Sequence, residues 1–160
     1  MDPDRRSVAA GLALMAATGA ARGAAPSGDV PLPAPASWRD ALARSGADGR
    51  PLVVLFSTPG CPWCRALRRD VLHHLAARAD ERGLRVLELD LTDDRPFADG
   101  SGDSPASVAR GLGARVSPTV VFMGPRGELA ERLVGYPSPD FYNAYLDDRI
   151  ARARAGMAGG

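Results

Sequence analysis

Strand-like and helix-like patterns alternate along this chain, and the alternation predicts an α/β fold, a mixed central sheet with helices on both faces. Three observations carry that expectation. Leu52 to Ser57 is apolar at nearly every position, as a central strand covered on both sides must be. The segments flanking it have helical periodicity. Two further strand-like runs, Thr119 to Met123 and Glu128 to Val134, enclose Gly124-Pro125-Arg126-Gly127, the mark of a hairpin. With 160 residues, the chain is long enough for one domain that folds without staples.

The elements follow in order. Ser37, with Asp40 three residues on, starts a helix over Trp38 to Ser45 that the Gly46 to Gly49 turn ends. After the first strand, Thr58-Pro59-Gly60 turns the chain into a second helix. There Leu67, Val71, Leu75 and Ala79 recur every four residues, and Gly83 stops the pattern. Leu84 to Leu91 is the second strand, with Leu87, Leu89 and Leu91 alternating against Val86, Glu88 and Asp90. Asp93 to Asp103 is a polar loop with four aspartates; the spacing matches no EF-hand and reads as a solvated insertion. Ser104-Pro105 opens a helix to about Gly111, a capping hydroxyl preceding a proline at the first helical position. Ser138-Pro139-Asp140 starts the last helix, whose Phe141, Tyr145 and Ile150 are expected to face the sheet. This order implies two parallel crossover units followed by an antiparallel edge pair.

The two ends read differently. Arg5 and Arg6 precede an alanine-rich apolar run, Val8 to Ala21, and small residues around Ala21-Arg22-Gly23, so residues 1–23 have the form of a cleavable export signal. That run is too short and weak to span a membrane, which takes about 20 apolar residues. The paired arginines fit a twin-arginine signal as well as a general secretory one. Residues 24–36 hold four prolines and read as an extended, mobile linker. The domain is expected over 37–154, with a disordered tail at 155–160. Export predicts a periplasmic protein. All 20 basic residues are arginine, dispersed among 19 acids, so no basic groove and no nucleic-acid partner are indicated.

Cys61-Pro62-Trp63-Cys64 holds the only two cysteines. A thiolate at a helix N-terminus is stabilised by unpaired backbone N–H groups and the helix dipole, so its pKa falls and it attacks disulfides at neutral pH. A second thiol one turn along can resolve the mixed disulfide. Haem attachment would need histidine after the second cysteine, where Arg65 stands. A zinc site would need His73 or His74, and His73 lies about 13 Å along the same helix from Cys64. A half-site completed by a partner and a purely structural disulfide are the remaining alternatives. His73 and His74 are read as helix-surface residues.

Val116-Ser117-Pro118-Thr119 precedes the hairpin immediately. Together with the cysteine motif, the hairpin and the later Gly135, it resembles the thioredoxin superfamily over about residues 37–154. The resemblance implies a thioredoxin-like three-layer sandwich. It implies that Pro118 is a cis-proline opposite the redox helix, that Ser117 offers its backbone to a substrate strand, and that Pro62, Trp63, Ser117 and Pro118 shape the docking face. Cys61 would be the nucleophile and Cys64 the resolving thiol. The family's buried acid corresponds to Leu55, so Glu88 on the neighbouring strand becomes the candidate proton acceptor, with a surface-facing Glu88 as the alternative. Pro62-Trp63 is nearer the Pro-Tyr of glutaredoxins than the Gly-Pro of thioredoxins. The whole is most similar to exported thioredoxin-like reductases, including the SoxW and SoxS type.

The expected function is therefore an exported thiol-disulfide oxidoreductase that reduces a disulfide in a client protein. It would act as a monomer, need no cofactor, and be recharged by a membrane or periplasmic dithiol donor. A DsbA-like oxidase or isomerase is the alternative within the class, and a thiol-based metal-handling or scaffold protein the alternative outside it.

Overall fold

The computed structural model describes residues 30–159; the expected export signal and the first part of the expected linker lie outside the described residues. In chain order the elements are α1 (Trp38–Asp48), β1 (Leu52–Ser57), α2 (Pro62–Leu67), a π-helical turn (Arg68–Leu72) and α3 (His73–Ala77). These are followed by β2 (Arg85–Asp90), α4 (Pro105–Gly111), β3 (Thr119–Gly124), β4 (Gly127–Val134) and α5 (Pro139–Ala158). The sheet order is β2-β1-β3-β4. Every residue of β1 and of β3 is buried, as expected of the two central strands.

Helices cover both faces. On one, Leu67, Val71, Leu72 and Leu75 meet Leu146, Ile150 and Ala153 of α5 over Val53, Leu55, Val120 and Phe122. On the other, Trp38 of α1 and Val108 and Ala109 of α4 pack on Leu52, Val54, Phe56, Val121 and Met123. Phe56 and Phe122 are wholly buried in opposite layers, each contributing about 1.5–3 kcal/mol of transfer free energy.

One topological expectation is corrected. β1 and β2 are parallel, but β3 runs antiparallel to β1, with Leu52 opposite Met123 and Phe56 opposite Thr119. The second crossover is therefore not parallel. At 1.5 Å per residue the seven-residue α4 advances only about 10 Å, half the roughly 20 Å length of a six-residue strand. The chain thus re-enters the sheet at the end where β2 left it. That end is also where β1 delivers the cysteines, so the antiparallel direction brings Ser117-Pro118 to the motif.

Other boundaries differ from expectation for local reasons. α1 continues past Ser45 to Asp48, where Gly49 takes the left-handed conformation (φ 65°) and its N–H caps the Ser45 carbonyl. The second helix is not uniform: the π turn inserts a wider loop of backbone that carries Arg68, Val71 and Leu72 inward together. The helix α5 runs to Ala158 instead of fraying at Ala155, because Ala153 is buried and Gly124 and Gly156 leave room for Leu129 and Met157 at its end. Phe141 and Tyr145 do not face the sheet; they are 70% and 56% exposed. The Ser138 side chain accepts from the Asp140 N–H and fixes the helix start. In that phase Tyr142, Leu146, Ile150 and Ala153 turn inward, the Tyr142 ring meeting Tyr136 edge-on at 5.2 Å.

Order also begins before Ser37, against the expectation of a mobile linker. Leu32 is buried in the α2/α5 core. Its N–H donates to Glu88 Oε2 at 2.7 Å, and the Glu88 N–H donates to the Pro33 carbonyl at 3.0 Å. A single leucine among prolines suffices to dock an already extended segment along the β2 edge.

Candidate active site

β1 ends at Ser57, and Thr58-Pro59-Gly60 reverses the chain with Gly60 at φ 73°, a conformation glycine adopts without steric cost. The Cys61 N–H closes this turn on the Thr58 carbonyl at 3.3 Å. Cys61 then caps α2: its backbone is extended (φ −68°, ψ 110°), its Sγ accepts the Cys64 N–H at 3.1 Å, and Pro62 takes the first helical position, where a missing N–H costs nothing. The two sulfurs are joined in a disulfide with Cα atoms 5.3 Å apart. The sulfurs are unequal in access. Cys61 is half-buried and Cys64 is fully buried. Pro62 is exposed, and Trp63 is 59% exposed beside it.

The Ser117–Pro118 peptide bond is cis. Ser117 Oγ lies 2.9 Å from Thr58 Oγ1, which ties this loop to the turn that enters the motif. Thr119 Oγ1 donates to the Val116 carbonyl at 2.6 Å, and the Gly135 N–H donates to the Pro118 carbonyl at 2.8 Å. Pro118 is buried, Ser117 half-buried and Val116 exposed. The structure thus gathers Cys61, Pro62, Trp63, Cys64, Ser117 and Pro118 at one end of the sheet, with Thr58 as a link the sequence reading missed.

Glu88 is not on the surface. It sits opposite Leu55 in the β1/β2 register and is buried. Its Oε1 accepts from Ser57 Oγ at 2.5 Å and from Arg68 Nη1 at 2.6 Å, while Oε2 accepts the Leu32 N–H. Arg68 and Glu88 side chains are only 9% and 7% exposed. Arg68 and Ser57 went unmarked in the sequence, although Arg68 stands four residues after Cys64, on the same inward stripe as Leu72. A carboxylate has about four lone-pair positions, so three donors leave one for water. A cavity of about 430 Å³ lined by Ser57, Arg65, Arg68 and Glu88 reaches this cluster from the Pro59-Gly60 side.

His73 is half-buried and His74 exposed on α3. In the Asp93 to Asp103 loop, Asp93 accepts from the Arg95 side chain, and Asp99 accepts from Ser37 Oγ at 2.6 Å. These carboxylates staple the loop to itself and to the start of α1.

No curated protein sequence matches the chain. Among solved structures, the DsbH oxidoreductase superposes with a TM-score of 0.56 at 18% identity, covering 76% of this chain and 86% of its own. The thioredoxin Mala s 13 of Malassezia sympodialis gives 0.54 at 18% identity, covering 76% and 95%. The reduced periplasmic thioredoxin SoxS of Paracoccus pantotrophus gives 0.47 at 24% identity, covering 65% and 99%. The family description that matches, over residues 38–150, is the thioredoxin-like domain. With a disulfide closing the start of the helix after the first strand and a cis-proline loop tied beside it, this chain belongs to the thioredoxin-like family, and Cys61-Pro62-Trp63-Cys64 is its thiol-disulfide redox centre.

Proposed function

We propose that the protein is an exported reductase of protein disulfides. The observation that carries the reading is the unequal access of the two sulfurs beside an exposed apolar rim, Trp63 and Val116, on a loop held by Thr58 and Ser117. In the dithiol form the Cys61 thiolate attacks one sulfur of a client disulfide, forming a Cys61–client disulfide and releasing one client thiolate. Cys64, deprotonated, then attacks the Cys61 sulfur. The Cys61–Cys64 disulfide forms, the second client thiolate leaves, and the client has gained two electrons. Cys64 N–H, directed at the Cys61 sulfur, favours the thiolate there.

Glu88 is the proposed acceptor of the resolving thiol's proton, and the cavity that Ser57 and Glu88 line gives its carboxylate a path to exchange that proton with solvent. Pro62, Trp63, Ser117 and Pro118 are proposed to present the docking face. An external dithiol donor must return the pair to the reduced state. Export rests on the form of residues 1–23.

The direction of electron flow follows from what stabilises the thiolate. Strong oxidants add hydrogen bonds to it. Trp63 occupies the position before Cys64, and its ring is turned to solvent. A potential nearer the thioredoxin end, about −270 mV, than the DsbA end, about −120 mV, is therefore expected. Equilibration against glutathione measures it; a value above about −150 mV would make the protein an oxidase and overturn the reading.

A further inference from the structure

Five of the six large hydrophobic side chains exposed among the described residues are Trp63, Val116, Val134, Phe141 and Tyr145, and the elements that carry them adjoin one another from the cysteine motif to α5. Trp63 flanks the cysteines. Val116 belongs to the cis-proline loop, which Ser117 and Thr58 fasten to the motif. Val134 is paired with Thr119 at the start of β3, and the next residue, Gly135, donates to the Pro118 carbonyl. Val134 also lines a groove of about 280 Å³ whose far wall is Phe141 and Tyr145. These two, four residues apart, form one stripe along α5.

The groove follows an edge. Four consecutive residues of β4, from Glu131 to Val134, line it. An irregularity between Ala130 and Leu133 interrupts the pairing with β3, and all four residues still reach the groove, which therefore runs along the strand's side. β4 is the last strand of the sheet, and among the described residues no strand pairs with its outer side. An open edge beside an aromatic stripe suits an extended polypeptide, with backbone hydrogen bonds to the strand and alternate side chains on the rings.

We propose that this groove docks the client chain itself, holding an extended segment with aliphatic or aromatic side chains near the cysteine being reduced, by strand addition to β4. The occupant follows from position: Val134 at the groove is paired with Thr119, next to Pro118, and Gly135 is tied to the Pro118 carbonyl, so the groove opens beside the loop proposed to hold the client. The proposal rests on the reductase reading and gives it a substrate preference, for unfolded or locally extended clients. Glu131, held by Arg149 at 2.6 Å, supplies the polar rim.

The test uses the full reduced protein and two synthetic peptides, each with a central cysteine held as a mixed disulfide with glutathione. One carries Val, Leu and Phe on both sides of the cysteine, the other Ser and Gly. Burying one such side chain is expected to favour the apolar peptide by about tenfold or more in the second-order rate constant. In Phe141→Ser/Tyr145→Ser, with folding checked by circular dichroism, the ratio of the two rate constants should fall towards one. Methylating alternate backbone amides of the apolar peptide should lower its rate by a similar factor. An unchanged ratio in the double variant, or a methylated peptide reduced at full rate, would overturn the groove or its strand pairing respectively. A dimer in sedimentation that the double variant dissolves would assign the groove to a second copy and overturn the proposal. Equal reduction of both peptides by the unsubstituted protein overturns the groove alone, whereas reduction of neither overturns the reductase reading as well.

Discussion

Arg68→Met should destabilise the oxidised protein severely, and the structure sets the size of the effect. The substitution preserves most of the buried stem and removes the guanidinium that lies 2.6 Å from Glu88 Oε1. Both side chains are more than nine-tenths buried, so water in the adjoining cavity replaces the lost partner only in part. Breaking such a pair costs about 3–5 kcal/mol. Ser57 Oγ and the Leu32 N–H still reach the carboxylate, which places the expectation at the low end, about 3 kcal/mol. Against a total of 5–15 kcal/mol for an ordinary domain, that lowers the melting temperature by about 12 °C. Glu88→Gln takes the carboxylate from the guanidinium instead and should cost a similar amount. The double variant Arg68→Met/Glu88→Gln holds neither charge, and the carbonyl of the introduced amide can still accept from Ser57. It should therefore be less destabilised than the sum of the singles by about 2 kcal/mol or more. Urea unfolding followed by far-UV circular dichroism, with unchanged m-values, reads all three. A loss under about 1 kcal/mol for Arg68→Met, or additive singles, would refute the claim that a desolvated ion pair anchors the floor of the site.

Cys64→Ser should accumulate mixed disulfides with disulfide-bonded client proteins while Cys61→Ser does not, because Cys61 is the more accessible of the two; gel-resolved trapping checks this, and trapping through Cys64 would reverse the roles. Leu32→Ala should cost about 2 kcal/mol in urea unfolding, since the leucine is 4% exposed, whereas a true linker residue would cost nothing. Hydrogen bonds from Ser101 and then Ser37 hold the Asp99 carboxyl down at about 2 from an ordinary 3.8. A depressed acid stabilises the fold above its ordinary value and loses that contribution as pH falls through the lower one, so Asp99→Asn should flatten acid unfolding between about pH 4 and 2.

Local chemistry made much of this fold readable. The apolar run of β1, the cap at Ser104-Pro105 and the Gly124 to Gly127 turn each act within a few residues, and each formed where its residues indicate. The direction of β3 was not local. It depends on how far α4 reaches across the sheet, a length comparison that periodicity does not contain. The exposed aromatics on α5 were misassigned because apolar residues at 141, 142, 145 and 146 permit two adjacent helical faces, and the Tyr136–Tyr142 contact selects one. At the site, the cysteines and the proline loop are contiguous motifs and were legible. The Arg68–Glu88 pair joins residues 20 apart on different elements, and each alone looks like an ordinary surface charge. Burial of Glu88 is what required a cation on the inward stripe of the redox helix.

The segment around Leu32 has one more consequence, for how copies of this protein can meet. A β-sheet with two free edges can add a neighbour on each side and grow without limit. Here the β2 side is occupied by the chain's own residues 31–35, in which every second residue is a proline with no N–H to offer. Among the described residues, only the β4 side stays open. Edge-to-edge association can therefore end in pairs, and a fibre built by strand addition has nowhere to attach its third molecule.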